Sequence, residues 1–212
     1  QSALPLFERL VAEYPESPLT GESLYLAGEA SFRLQQYEAA ANWLRQMLDE
    51  APQHDVAAKA RFRLGLALAQ LEQWTEAESA LADLARTESE FPNSGEAELW
   101  RARALANLGN DRAASAAYQR VIDHDRGVLA ARAQIGIGEL ERRAGNVETA
   151  LSTFLKVAVL YGHDEEVAQA LLLAGQCLED LGDQAKAKDR YREIVDNHPQ
   201  STVAEEARRR LN

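Results

Sequence analysis

The side chains best suited to chemistry in this sequence are four histidines that stand tens of residues apart. His54, His124, His163 and His198 each lie at the end of a helical pattern or in the joint that follows it. The helix dipole favours a histidine near a C-terminal end, which explains these positions without catalysis. Catalysis requires titratable groups that converge on one point, and this spacing does not indicate convergence.

Two short runs combine histidine with carboxylates, Asp123-His124-Asp125 and His163-Asp164-Glu165-Glu166. Such runs could bind a metal weakly, but two or three ligands from one loop do not define a metal site. Cys177 is the single cysteine, so the chain can form neither an intramolecular disulfide nor a multi-cysteine metal site. Its place in an apolar helical pattern predicts a small buried core residue. The sequence therefore predicts no cofactor and no metal.

Carboxylate pairs and glycine motifs do not strengthen the case for an enzyme. A pair such as Glu76 and Glu78 is expected on a solvated helix face in a chain with 34 acidic and 23 basic residues. Gly136 and Gly138 lie inside a helical pattern, whereas a phosphate-binding glycine loop lies between a strand and a helix. The net charge of -11 also argues against nucleic acid as a partner. We predict a protein that is not an enzyme.

Small residues mark a unit that repeats along almost the whole chain. A first column of Gly or Ala recurs every 36 or 37 residues, and a second column of alanine follows it by twelve residues. The first column is Gly28, Gly65, Ala102, Gly138 and Gly175, and the second is Ala3, Ala40, Ala77, Ala114, Ala150 and Ala187. Small side chains at such positions allow two helices to cross closely.

Each unit has the pattern of two helices joined by a short turn. Apolar residues follow helical spacing on both sides of breaks such as Glu72-Gln73 and Gly109-Asn110. Three of the five breaks carry glycine, which suits a helix end with a positive φ. Polar residues after the joints between units are predicted N-caps: Ser17, Asp55, Ser94, Asp164 and Ser201.

This pattern resembles the tetratricopeptide repeat (TPR) family, whose hairpins carry a small residue in the first helix and an alanine plus an aromatic residue in the second. The residues that match this signature are Gly28, Ala40 and Pro52 in one repeat and Gly175, Ala187, Tyr191 and Pro199 in another. The resemblance implies an all-α fold, a right-handed superhelical solenoid of antiparallel helix pairs. The period of 37 residues exceeds the family's usual period of about 34 residues by nearly one helical turn.

The resemblance predicts a single TPR solenoid over residues 1–212, with about five hairpins and an unpaired helix at each end. Residues 1–15 fit the second helix of a truncated repeat, and residues 201–212 fit a terminal helix. The full repeats are predicted at 17–52, 55–92, 94–126, 127–163 and 164–199. Because an unpaired end helix leaves an apolar face uncovered, we expect either a longer array or self-association through an end helix.

In the family, the first helix of each hairpin lines a concave groove. The residues that face this groove lie six and three positions before the first column and one and four positions after it. Aromatic and arginine side chains most often carry binding energy. The predicted partner-binding residues are Tyr25, Phe32, Phe62, Arg103, Arg132, Glu139 and Arg142. The alternative is that the aromatic residues only fill the core between repeats.

Three joints make the resemblance narrower: Tyr14-Pro15-Glu16-Ser17, Phe91-Pro92-Asn93-Ser94 and His198-Pro199-Gln200-Ser201. They resemble the joints of bacterial envelope TPR proteins of the Tol-Pal-associated and outer-membrane assembly lipoprotein type. We expect a non-enzymatic scaffold that docks a protein or peptide partner in its groove, periplasmic or envelope-associated. The alternative is a cytoplasmic TPR adaptor or a regulatory module of a larger multidomain protein. Apolar stretches far shorter than the ~20 residues that cross a bilayer predict no direct membrane insertion.

Overall fold

The computed structural model of the protein describes residues 4–14, 16–87 and 91–211. In this part of the chain the regular structure consists of twelve α-helices without a strand, and none of these helices is long and apolar enough to span a bilayer. The helices are α1 (Leu4–Glu13), α2 (Thr20–Arg33), α3 (Tyr37–Glu50), α4 (Ala57–Gln70), α5 (Trp74–Thr87), α6 (Ser94–Asn107), α7 (Asp111–His124), α8 (Val128–Arg143), α9 (Val147–Leu160), α10 (Asp164–Asp180), α11 (Gln184–Asn197) and α12 (Ala204–Leu211). Ala3 of the second column and Pro15 of the first joint lie outside the described residues.

The chain forms two compact units, residues 1–110 and residues 111–212. In the first unit, α2 contacts α4 and α4 contacts α6, while α1, α3 and α5 pack against the helices next to them in sequence. In the second unit, α8 contacts α10, α7 packs on α8, α9 packs on α8 and α10, and α11 packs on α10 and α12. Each unit is therefore a layer of first helices packed on a layer of second helices, and the all-α prediction of adjacent helices packed in pairs is confirmed.

The first column of small residues lies where a second helix crosses a first helix. A methyl group on Gly138 would lie 2.4 Å from Cε1 of Phe154, and one on Gly175 would lie 2.3 Å from Cε1 of Tyr191. In the first unit the column glycines face leucines in the same way, Gly28 facing Leu44 and Gly65 facing Leu81. Since these contacts are already closer than two carbon atoms can approach, a larger residue would hold the two helices apart.

Every turn between a first and a second helix contains one residue with a positive φ. These residues are Gln35 (59°), Glu72 (57°), Gly109 (74°), Gly145 (83°) and Gly182 (81°). In the turn after α8, the N–H of Asn146 donates to the carbonyl of Glu141 at 2.9 Å, and the N–H of Gly145 donates to the carbonyl of Arg142 at 3.0 Å. This pair of bonds is a Schellman motif, which requires a left-handed residue. The positive φ predicted at the three glycines is confirmed, and Gln35 and Glu72 adopt it without glycine.

The N-caps predicted at the joints are wrong in position. Ser94 and Asp164 are the first residues of α6 and α10 rather than the residues before them. The helices α2, α4 and α12 begin two or three residues after the predicted cap, at Thr20, Ala57 and Ala204. At the joint before α4, the N–H of His54 donates to the carbonyl of Ala51 at 3.1 Å and the N–H of Ala57 donates to the carbonyl of His54 at 2.8 Å. The N–H of Val56 donates to Nδ1 of His54 at 3.3 Å. The turn carbonyls and the His54 ring thus accept the bonds expected of the predicted cap residue, Asp55.

Candidate functional site

The first helices of the first unit, α2, α4 and α6, together form a surface that we call the first-helix face. It carries four of the predicted partner-binding residues, Tyr25, Phe32, Phe62 and Arg103. Tyr25, Phe32 and Arg103 are half-buried, so each leaves part of its side chain accessible. Phe62 differs from them, since only 7% of its surface is exposed.

Phe62 has the contacts of a core side chain. Its ring packs against the ring of Phe91, with the centroids 5.4 Å apart, and both belong to a buried cluster with Leu66, Leu81 and Leu84. Phe32 packs against the same cluster from α2, and its ring makes an edge contact with a neighbouring aromatic ring. Phe32 and Phe62 therefore belong to one core shared by α2 and α4, whereas Tyr25 packs against the neighbouring core cluster that contains Leu24 and Leu44.

A buried carboxylate links α2 to α4 at this face. Glu29, 9% exposed, accepts a hydrogen bond from Nε of Arg63 at 2.6 Å and another from Nη2 of Arg63 at 3.2 Å. Nε of Arg33 donates to the same carboxylate at 3.0 Å. The guanidinium carbon of Arg63 also lies 4.6 Å from the ring centroid of Phe32. Two arginines thus compensate the charge of Glu29, and Arg63 is fixed in place by the carboxylate and the ring together.

Tyr25 lies one helical turn before Glu29 on α2. Burial raises the pKa of the Tyr25 hydroxyl, and the negative charge of Glu29 raises it further. The hydroxyl therefore stays protonated at neutral pH, where it can donate a hydrogen bond to a partner.

A tryptophan and an arginine form the part of the face on α6. The guanidinium carbon of Arg103 lies 4.8 Å from the centroid of Trp100, and Trp100 packs against the same core as Phe32. Within the part of the chain that the structure describes, the Arg103 guanidinium has no carboxylate partner. Trp100 and Arg63 were not predicted from the sequence, although both stand two positions before the first column, at Ala102 and Gly65.

In the second unit, the predicted residue Arg132 is bound within the protein. Its Nε lies 2.8 Å from Oε1 of Glu166 on α10, and the Glu166 side chain is only 6% exposed. Glu139, the predicted acidic residue of this unit, is exposed on α8. The run from His163 to Glu166 thus supplies an ion pair between two first helices.

Arg142 makes a similar connection at the other end of α8. Its Nε donates to Oδ2 of Asp180 at 2.9 Å and its Nη1 donates to the amide oxygen of Gln176 at 2.8 Å. Both predicted arginines of the second unit therefore hold α8 to α10. Arg103 differs from them in having an aromatic ring beside it and no carboxylate among the described residues.

The candidate metal-binding runs are occupied by other contacts. Oδ1 of Asp125 accepts hydrogen bonds from the N–H groups of Gly127, at 2.7 Å, and Ala130, at 3.2 Å, at the start of α8. Nδ1 of His198 lies 3.4 Å from Oδ1 of Asp164. Among the residues that the structure describes, no group of three or more histidine, cysteine, aspartate or glutamate side chains is placed to hold a metal ion.

A cleft of about 320 Å³ lies between α3, α4 and α5, away from the first-helix face. Its apolar lining includes Leu48, Leu64 and Leu68. An ion pair between Arg45 and Glu76 joins α3 to α5 along this cleft. Its lining combines aliphatic side chains with the Arg45–Glu76 ion pair and with Arg61, which donates to the carbonyl of Pro52.

The single cysteine is buried, as predicted. Cys177 is 0% exposed, and this burial raises the pKa of its thiol. We expect less than a tenth of the thiol to react with Ellman's reagent in the native protein, on the order of the fraction that local opening exposes. Complete reaction is expected in guanidinium chloride, with the thiolate product measured by absorbance. Equal reaction rates in the two conditions would contradict the buried position.

Most of the chain matches models of known protein families. Two family models, each described as Tetratricopeptide repeat, match residues 62–123 and 129–200, and together they cover more than half of the chain. The chain belongs to the tetratricopeptide repeat family. A further model, described as Anaphase-promoting complex, cyclosome, subunit 3, matches residues 1–84 of this TPR chain. No curated protein matches it significantly in sequence.

Solved TPR structures share its fold over nearly the whole length. PilW, a widely conserved type IV pilus biogenesis factor, has a TM-score of 0.70 at 20% identity, with 94% of this chain and 86% of PilW covered. YrrB, a TPR protein with an unusual peptide-binding site, has a TM-score of 0.63 at 20% identity, with 96% and 97% covered. PilF of Pseudomonas aeruginosa has a TM-score of 0.66 at 13% identity, with 96% and 86% covered. At these identities the similarity establishes the fold alone.

TPR proteins generally mediate protein–protein interactions, and the fold is typically a non-enzymatic scaffold. Family membership therefore gives the class of activity of this TPR protein, the binding of protein partners. The narrower resemblance to envelope proteins of the Tol-Pal and outer-membrane assembly type stays a prediction.

Proposed function

We propose that this TPR protein is a scaffold that docks a protein or an extended peptide on the first-helix face of its first unit. The observation that carries the proposal is the set of half-buried side chains on that face, Tyr25, Phe32, Trp100 and Arg103. Aromatic and arginine side chains are enriched among residues that dominate binding energy. The three aromatic side chains pack against buried core clusters and Arg103 lies over Trp100, so little rotamer freedom is lost when a partner binds.

We further propose that the scaffold works in a bacterial envelope assembly, in the periplasm or associated with the envelope. The aromatic-proline-x-serine joints, such as Phe91-Pro92-Asn93-Ser94, support this location. The similarity in fold to PilW, a type IV pilus biogenesis factor, supports a role in assembly.

Photo-crosslinking in the cells that encode the protein tests the docking face. A benzophenone amino acid is placed at Glu22, Gln70 or Asn107, which are exposed on the first helices, and at Asn42 or Asp49, which are exposed on α3. We expect discrete protein adducts from the first-helix positions and none from the α3 positions. Adducts from α3 alone would overturn the proposal, since the partner would then lie on the second-helix side.

Cell fractionation of the full-length gene product tests the location separately. Recovery with the periplasm or the membranes is expected, and recovery with the cytosol would overturn the envelope assignment. A cytosolic result would leave the docking face intact, because the crosslinking result does not depend on the compartment.

A further inference from the structure

We infer that the first-helix face of the first unit selects an extended acidic peptide, one of whose side-chain carboxylates binds the guanidinium of Arg103 beside Trp100. The inference rests on the proposed function and adds the chemistry of the partner. It is carried by the charges of this face and by the contacts of its arginines.

The face is basic relative to the unit that contains it. Residues 1–110 contain 17 acidic and 9 basic residues, and six of the nine basic residues lie on α2, α4 and α6. Two of the six, Arg61 and Arg101, bind the carbonyl of Pro52 and the carboxylate of Glu78. The other four are assigned to the first-helix face. These four are Arg33, Lys59, Arg63 and Arg103. The same three helices carry four of the acidic residues, Glu22, Glu29, Glu96 and Glu98, so their net charge is positive. An acidic peptide would therefore be attracted to these helices more than to the acidic unit as a whole.

Three acidic side chains of the first helices have partners or positions that keep them from Arg103. Glu98 pairs with Arg101. Glu29 is buried and already accepts hydrogen bonds from Arg33 and Arg63. Glu96 lies in the first turn of α6, seven residues before Arg103 and so about 10 Å away along the helix axis. A carboxylate from a partner would thus meet Arg103 without displacing one of the protein's own.

The contacts of Arg103 prepare it for such a carboxylate. The guanidinium group is planar, and contact with an aromatic face leaves its N–H edge available for two parallel hydrogen bonds to a carboxylate. Arg132 and Arg142 of the second unit already use their N–H groups on Glu166 and Asp180. Arg103 is the predicted arginine that retains this capacity within the described residues.

A peptide fits this face better than a nucleic acid does. The net charge of the first unit repels a phosphate backbone, whose binding requires many phosphate contacts at once. A single carboxylate needs one local cation. The half-buried ring of Trp100 beside Arg103 offers apolar contact to a neighbouring peptide residue, and Phe32 on α2 offers it further along an extended peptide.

The test selects binders from a phage-displayed library of random linear peptides against the whole chain, then measures one selected peptide by fluorescence anisotropy. We expect enrichment of Asp and Glu next to an aromatic or leucine residue. Arg103→Gln is expected to weaken the selected peptide about tenfold or more. Arg103→Lys should weaken it less, because lysine keeps the charge but loses the planar pair of hydrogen bonds. Arg9→Gln is the matched control, since Arg9 is exposed on α1, outside the first-helix face, and pairs with Glu13 one turn away.

A second peptide, in which the acidic residue is changed to its amide, separates the possible outcomes. If the inference is correct, the amide peptide binds wild type and Arg103→Gln equally, and circular dichroism shows both proteins folded alike. Selected peptides that are basic, or that bind Arg103→Gln as well as wild type, would overturn the inference while the proposed docking function stands. A selection that yields no specific peptide would also overturn the inference, and the crosslinking result would then decide the proposed docking function by itself.

Discussion

Replacement of Gly138 by leucine is expected to lower the free energy of unfolding of the second unit by about 3 kcal/mol. Even a methyl group at this position would lie 2.4 Å from Cε1 of Phe154, whose side chain is 0% exposed. The ring cannot turn away without disturbing the core it shares with Ile135 and Val157, so α8 and α9 must separate. The loss is measured by urea denaturation followed by far-ultraviolet circular dichroism.

Glycine substitutions elsewhere in the same unit provide the control for this prediction. Gly162→Ala adds the same methyl group in open space, with nothing within 4 Å, and should leave the free energy of unfolding within about 0.5 kcal/mol of wild type. Gly138→Ala should fall between Gly162→Ala and Gly138→Leu. Equal urea midpoints for Gly138→Leu and Gly162→Ala would mean that α8 and α9 do not cross as closely as the column of small residues indicates.

The repeat could be predicted from the sequence because its cause is local and recurs. A close helix crossing requires a small residue, and the crossing recurs in each hairpin, so small residues recur at the same spacing, as at Gly138 and Gly175. The left-handed position of a Schellman motif favours glycine, as at Gly145 and Gly182. Both signals depend on residue type and spacing, so they can be recognised in the sequence alone.

The contacts of the candidate site were less predictable because they depend on the angle between repeats. Arg63 and Trp100 lie two positions before the column, outside the positions expected to face the groove. Long side chains reach across to the neighbouring stripe of a helix, so Arg63 binds Glu29, which lies 34 residues earlier in the chain. Only two of the five residues at this position are arginine or aromatic, so the sequence carries no periodic signal there. Which carboxylate Arg63 binds is decided by helix packing.

At the joints between repeats, residue type alone predicted the wrong start of the helix. A serine or aspartate after a proline is a good N-cap by type, and Asp55 and Ser201 have that pattern. The backbone of these joints turns back on itself before the helix begins, as between Ser201 and the carbonyl of His198 at 3.0 Å. The turn then performs the role expected of the side chain, and the helix starts later.

Replacement of Glu29 by alanine is expected to destabilise the first unit by about 2 kcal/mol. Glu29 is 9% exposed and its carboxylate binds Arg63, whose side chain is 24% exposed and packed beside Phe32. Without the carboxylate, Arg63 keeps its charge in a site that it can leave only by giving up the contact with the ring. The effect is measured by urea denaturation followed by tryptophan fluorescence, because the three tryptophans all lie in the first unit.

A double-mutant cycle distinguishes this pair from an ordinary surface ion pair. Arg33→Ala should cost less than about 0.5 kcal/mol, since the Arg33 side chain is 77% exposed and water screens its contact with Glu29. Glu29→Ala combined with Arg63→Ala should cost less than the sum of the two single changes, because the unpaired guanidinium is then removed as well. If Glu29→Ala costs no more than Arg33→Ala, or if the two changes at Glu29 and Arg63 add, the carboxylate does not hold α2 to α4. If the cycle shows coupling, the ion pair between Glu29 and Arg63 holds the Arg63 guanidinium beside Phe32 on the first-helix face.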